Sequence, residues 1–175
     1  MNDMVIYAKY NQAGNKTIME LLDKIGHDER EKDRGSFYKS LSGLFRHIMG
    51  GTRFFLGMYK TALSGNAAAV KAISAIETLP SFPEGMLNES QWREVESAAA
   101  AIDAAYIAMT ESLKESDFKL PVKIDWYGGN PSSVPLSFML SQLVVHNTHH
   151  RGQISQILDS LTIANDYSGI DVSFL

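Results

Sequence analysis

Three of the five histidines stand in one eight-residue string, His146-Asn147-Thr148-His149-His150-Arg151-Gly152-Gln153. Residues four apart on a helix share a face, with Cβ atoms roughly 5–6 Å apart, so His146 and His150 can aim two imidazoles at one cation about 2.0–2.1 Å from each nitrogen. The chain contains no cysteine. Disulfides, thiolate ligands and a cysteine nucleophile are therefore excluded, and histidine and carboxylate remain as the strong metal-binding side chains.

Projected at about 100° per residue, the last helix carries an apolar stripe of Met139, Leu143, Ile154, Ile157 and Leu161 with His150 at its centre. His146 falls about 50° from that centre and His149 more than about 100° away, which turns His149 toward a partner helix or solvent. Two imidazoles hold an ion poorly without a third. His47 is the other histidine embedded in an apolar helical segment, whereas His27 follows a helix end. The expected metal site is therefore His47, His146 and His150, with Gly43, Gly50 and Gly51 leaving room beside the His47 ring. The competing reading is of core histidines bonded to backbone carbonyls or hydroxyls; convergence of three from two helices weighs against it.

Three neutral imidazoles leave a divalent ion its full charge and an open position, the arrangement of a catalytic site rather than a closed structural one. Such an ion can acidify water for hydrolysis or hold a substrate thiolate as a nucleophile. Hydrolysis calls for a carboxylate base, and none lies in the turn around His47 or within the closing string, so thiol transfer ranks ahead of it. Asn147 and Gln153 flank the histidines and are candidates to bond an imidazole's second nitrogen. Arg151 is expected to brace a helix or a dimer, and Gly152, opposite the stripe, to permit close packing.

Four long helices must carry these residues. The first runs from about Asp3 to Ile25, with Gly26 as a left-handed cap; the charged stretch 28–35 reads as a solvated connection. The second, from about Phe37 to Leu63, has a stripe of Phe37, Leu41, Leu44, Ile48, Phe55, Met58, Tyr59 and Ala62 and bears His47 on its shoulder. Phe37, Phe54, Phe55, Met58, Tyr59 and Met139 read as core packing, the part nearest His47 being able to line a pocket. A short alanine-rich helix to about Thr78 is followed by the breaking segment Leu79–Gly85. Asn88 and Gln91 form a capping-box pattern that opens the third long helix, ending near Leu113. Val122, Ile124, Trp126 and Gly128-Gly129 suggest a short two-stranded hairpin. Pro135 then suits the start of the last helix, to about Leu161. The fold class expected is all-α: a four-helix bundle with a short β-hairpin before the last helix.

With 175 residues the chain supplies one sizeable core, and residues 1–175 are expected to form a single domain. A formal net charge of −4 and the lack of any long Lys/Arg run argue against nucleic acid and anionic membrane as partners. No window approaches a transmembrane length of about 18 apolar residues, and the start lacks a secretory pattern, so a cytoplasmic location is expected.

The closing string resembles the His-x-x-Thr-His-His-Arg-Gly-Gln signature of the DinB-like family, also called damage-inducible or YfiT-like proteins. Gly35-Ser36-Phe37-Tyr38-Lys39-Ser40-Leu41 leading to Leu44-Phe45-Arg46-His47 is similar to the family segment that carries its first histidine, and Tyr10-Asn11 and Gly169-Ile170-Asp171-Val172 extend the likeness. The resemblance implies an up-down-down-up bundle, a homodimer, and a divalent metal on His47, His146 and His150. Family activities include transferases and isomerases using low-molecular-weight thiols, and metal-dependent hydrolases; the fold does not choose among them. Three readings follow: a metal-dependent enzyme, first a thiol S-transferase and alternatively a hydrolase; a non-catalytic metal-binding stress-response protein; and a helical interaction module without metal. The ion itself stays open among Zn, Ni, Cu and Fe, since imidazoles accept each.

Overall fold

The computed structural model describes residues 3–125 and 132–166. Trp126 and Gly128-Gly129, expected in the hairpin, and Gly169–Val172 lie outside the described residues. Helix α1 spans Asp3–Lys24, with an acid in its first turn and a lysine in its last, both matched to the helix dipole. It stops at Gly26, whose φ of +79° is the left-handed cap expected there.

The charged stretch that follows is a solvated connection only in its second half, over 32–35. His27–Glu31 form a short helix, α2, in which Arg30 and Glu31 are buried. The Arg30 guanidinium lies over the Trp92 ring at 4.6 Å and donates to Glu89 at 2.8 Å. Glu31 accepts from the Ser42 hydroxyl and the Leu87 amide at 2.7 and 3.0 Å. Both buried charges are met by partners distant in sequence, which lets these two residues be buried among few apolar neighbours.

Helix α3 spans Leu41–Ala62, capped by Ser40, whose hydroxyl accepts from the Gly43 amide. It starts later than the expected Phe37, because Lys39 has φ +65° and cannot continue a right-handed helix. Phe37 is thus no part of the core stripe and is 89% exposed. Helix α4 covers Ala67–Ser74 and is capped by Asn66. The segment after it, irregular as expected, is fastened to α3: Arg53 donates to the carbonyls of Glu77, Leu79 and Pro80, and Arg46 to those of Pro83 and Gly85. Helix α5, Glu89–Glu111, opens on the complete Asn88/Gln91 capping box.

A 3-10 turn at Glu115–Lys119 leads into strands β1 (Pro121–Ile124) and β2 (Ser132–Pro135). They pair antiparallel, with Val122 opposite Val134 and Ile124 opposite Ser132. Alternation sends Val122 and Ile124 into the core. Helix α6, Leu136–Ser160, begins directly from Pro135. α1 packs chiefly against α5 and α3 against α6, with α4 on α5 and β1 against α3. Leu44, Ile48, Phe55, Tyr59, Ile102, Met139, Leu143 and Ile154 fill the space between them. This is an all-α bundle of four long helices with a short hairpin before the last. Among the described residues no helix is long and apolar enough to cross a membrane.

Candidate metal centre

The α3–α6 contact brings His47 against His146 and His150. One ring nitrogen from each lies within 4.8 Å of the others, and the Nε2 atoms of His47 and His146 are 3.1 Å apart. Two ligands at about 2.0–2.1 Å in tetrahedral geometry stand about 3.3 Å from one another, so this pair is spaced to share a cation. The three ring centroids are separated by 4.4 to 5.0 Å, with no two rings stacked face to face. His149, as the projection expects, is exposed and outside the cluster, its ring centroid 4.9 Å from that of His150.

The second nitrogens are occupied in a way that frees the first ones. His150 Nδ1 is 2.7 Å from Gln153 Oε1, and His146 Nδ1 is 3.0 Å from Asn147 Oδ1. An amide oxygen only accepts, so both Nδ1 atoms carry the proton and both Nε2 atoms present lone pairs. Both flanking amides therefore act as the sequence suggested.

The orientation of Asn147 is dictated from deep in the core. Asp103, on α5, accepts from the Asn11 amide at 3.0 Å and from Asn15 at 3.0 and 3.1 Å. The Asn11 nitrogen being spent on Asp103, its oxygen faces the other way and accepts from Arg151 Nη1 at 2.7 Å and from Asn147 Nδ2 at 2.9 Å. Arginine only donates, which fixes Asn11 from the second side. Asn147 Nδ2 also donates to Thr52 Oγ1, leaving Oδ1 for His146. Arg151 keeps the bracing role expected of it, with its guanidinium 5.0 Å from the Tyr10 ring centre. Asn11, Asn15, Thr52 and Asp103 were not legible as site residues: they come from three helices, α1, α3 and α5, and only packing joins them.

Tyr38 is a further residue that spacing does not flag. Its hydroxyl is 3.1 Å from His47 Nε2 and its ring lies 4.3 Å from the His47 ring and 5.3 Å, edge-on, from His150. The turn at Lys39 aims it there, and Gly43 permits it, since a Cβ at position 43 would run into the Tyr38 carbonyl. The signal available was the pair of polar residues just before the cap.

Gly51 serves another ring than the one anticipated. A Cβ there would lie 2.6 Å from His146 Cε1, so the glycine makes room for His146, while Gly50 faces Phe82. Gly152 is exposed, and a Cβ there would meet nothing within 4 Å among the described residues.

Burial disfavours the charged form of His47 and His150. Burial pushes His47 down to about 4, helped by the proximity of His150 and His146. Burial also lowers His150, opposed by its bond to Gln153. A neutral nitrogen is the metal-binding form, so the cluster suits a cation without prior loss of protons at His47. Asp103 moves the other way, to about 7, because burial outweighs the two asparagine amides and Arg151.

Two cavities meet at His47, Gly50 and Gly51. One, of about 910 Å³, is bounded by Tyr38, Lys39, Asp33, Arg46, Glu84 and the Phe82 loop. Glu31 also reaches its wall, with both carboxylate oxygens already engaged, Oε1 by Arg30 and Oε2 by Ser42 and Leu87. The other, of about 560 Å³, lies toward the hairpin.

No curated protein and no solved structure gives a significant match to the chain. The sequence model of the DinB family matches residues 1–163, nearly the whole length, and includes all three histidines. A bundle of four long helices with three converging imidazoles, taken with that match, identifies the chain as a member of the DinB family.

Proposed function

We propose that this protein is a divalent-metal-dependent enzyme that joins a low-molecular-weight thiol to an electrophilic carbon, with His47, His146 and His150 as the metal ligands. The observation that carries the reading is the set of three imidazole nitrogens within 4.8 Å of one another, backed by amides that hold His146 and His150 with Nε2 exposed. A bound divalent ion supplies a Lewis acid with an open position, able to keep a thiol ionised at neutral pH.

The chain's own groups do the rest. His47, His146 and His150 would hold the ion through ring nitrogens, and Tyr38 offers a hydroxyl beside His47 Nε2. In the transfer, a sulfur–carbon bond forms as the carbon–leaving-group bond breaks, the leaving group departs with the electron pair, and the thiol proton passes to solvent. The larger cavity has both signs of charge on its walls, at Lys39, Asp33 and Glu84, which suits a small thiol with ionised groups. Hydrolysis ranks second, because Glu31, the buried carboxylate among the walls of that cavity, has its oxygens committed to Arg30, Ser42 and Leu87.

The test uses untagged protein. Bound metal is measured by elemental analysis, and conjugation of small thiols to a chromogenic electrophile is followed with and without chelator. Chelator-sensitive turnover is expected. Bound metal with no turnover for any thiol, together with a chelator-induced fall in melting temperature, would instead favour a non-catalytic metal-binding protein. Sedimentation of the same sample reads the homodimer that we propose as its assembly.

A further inference from the structure

We infer that the 560 Å³ cavity on the hairpin side of the triad is a binding site for an uncharged aromatic or branched apolar group, held with its reactive end against His146 and His47. The inference rests on the thiol-transfer reading only in naming that group as part of the electrophile; the cavity itself is argued from its walls.

Those walls come from three elements. Phe54 and Phe55 of α3, Ile124 and Val134 of the two strands, and Phe138 and Met139 of α6 enclose the space, and His47 and His146 form its inner end. Apart from the two imidazoles, Gln142 is the one polar side chain among the described lining residues, and none of these is a lysine, arginine, aspartate or glutamate. The neighbouring cavity, beyond Gly50 and Gly51, has Lys39, Arg46, Asp33 and Glu84 on its walls. The two compartments thus share His47, and of the two only the hairpin-side one also reaches His146 and has no charged side chain among its described walls. An ionised thiol loses its hydration at a cost in the hairpin-side compartment, where no charged wall repays it, so that compartment favours an uncharged apolar group.

The size fits a small organic ligand, since such pockets run about 300–1,000 Å³. The site is also built rather than incidental. Phe54 and Phe138 are more than half exposed, at 57% and 55%, and stand on the two helices that flank the opening, the Phe54 ring meeting that of Phe55 at 5.8 Å. The Phe55 ring meets His146 at 5.8 Å with planes 66° apart, so the ligand-bearing imidazole itself completes the wall. Met139, adaptable in shape, lies at the base.

The experiment titrates zinc-loaded protein with N-phenyl-1-naphthylamine, an uncharged aromatic dye that fluoresces on leaving water. Saturable binding of one dye per chain is expected, weakened at least fivefold by Gln142→Trp, which fills the cavity from an exposed helical position, and by Phe138→Ala, which removes a wall. Phe37→Ser, at the charged cavity, should leave it unchanged. Should Gln142→Trp fail to fold, Phe138→Ala carries the comparison alone. The inference is overturned if no saturable binding occurs, if neither cavity variant weakens it, or if Phe37→Ser weakens it equally. It is also overturned if dye binds only when dilution separates a dimer, since a second copy then covers the opening. Dye binding needs no turnover: a protein that binds dye at this site yet conjugates no thiol refutes the transferase reading and leaves the apolar site standing.

Discussion

Asn147 Oδ1 sits 3.0 Å from His146 Nδ1, and the amide cannot turn over, because its nitrogen is held by Asn11 and Thr52. The His146 tautomer is therefore set by a row of hydrogen bonds reaching back through Asn11 to Asp103 on another helix. Asn147→Leu keeps the volume and removes the acceptor. Zinc affinity, measured by competition with a chromophoric chelator, should fall about 10–100-fold. Melting temperature should also drop, as buried partners on Asn11 and Thr52 lose a bond worth about 1–3 kcal/mol when left unsatisfied. Unchanged affinity would show that the tautomer is fixed by other means.

Gly51→Ala separates metal binding from folding. Inside a helix the change is favourable by about 0.5–1 kcal/mol. The new methyl would meet His146 Cε1 at 2.6 Å and must push the ring aside. The expected outcome is a metal-free protein that melts no lower than the parent, with zinc affinity reduced at least tenfold. Equal affinity in calorimetric titration would mean that the ring has slack.

His149 and His150 are neighbours with opposite expectations. His149 is exposed and outside the cluster, whereas His150 is buried within it. His149→Ala should retain full metal content by elemental analysis, and His150→Ala or His47→Ala should lose most of it. Loss of metal in His149→Ala alone would reassign the ligand.

The metal-free protein should lose part of its stability on acidification through His47. Its folded value of about 4 lies below the ordinary 6.5, so between those values the unfolded chain takes up a proton that the folded one refuses. The contribution is present above pH 6.5 and is lost as pH falls toward 4. Measured against His47→Gln, the advantage in melting temperature of the parent should shrink over that window. Asp103 works with the opposite sign: raised from 3.8 to about 7, it favours the fold most below pH 3.8 and loses that contribution as pH rises through 7. An advantage over His47→Gln that grows on acidification would contradict the assignment at His47.

The bundle and the triad were legible because both obey helical period. The spacing of His146 and His150, the Gly26 cap and the Asn88/Gln91 box each state their structure within a few residues. What was not legible depends on partners far along the chain. Arg30 and Glu31 look solvated until Trp92, Glu89, Ser42 and Leu87 are folded around them. Phe37 follows the stripe's period but precedes a left-handed residue that takes it out of the helix. Asp103 and Asn11 belong to different helices, and nothing in either one marks them as support for His146.

Arg46 and Arg53 are rooted in the helix that carries His47, and between them their guanidiniums hold five carbonyls of the 77–85 segment. That side of the charged compartment therefore travels with the first imidazole rather than hinging away from it. A guest too bulky for the space would have to bend α3 itself and disturb the triad, so the same two arginines that fasten a loop also make the chamber a sieve whose mesh is as stiff as the helix behind it.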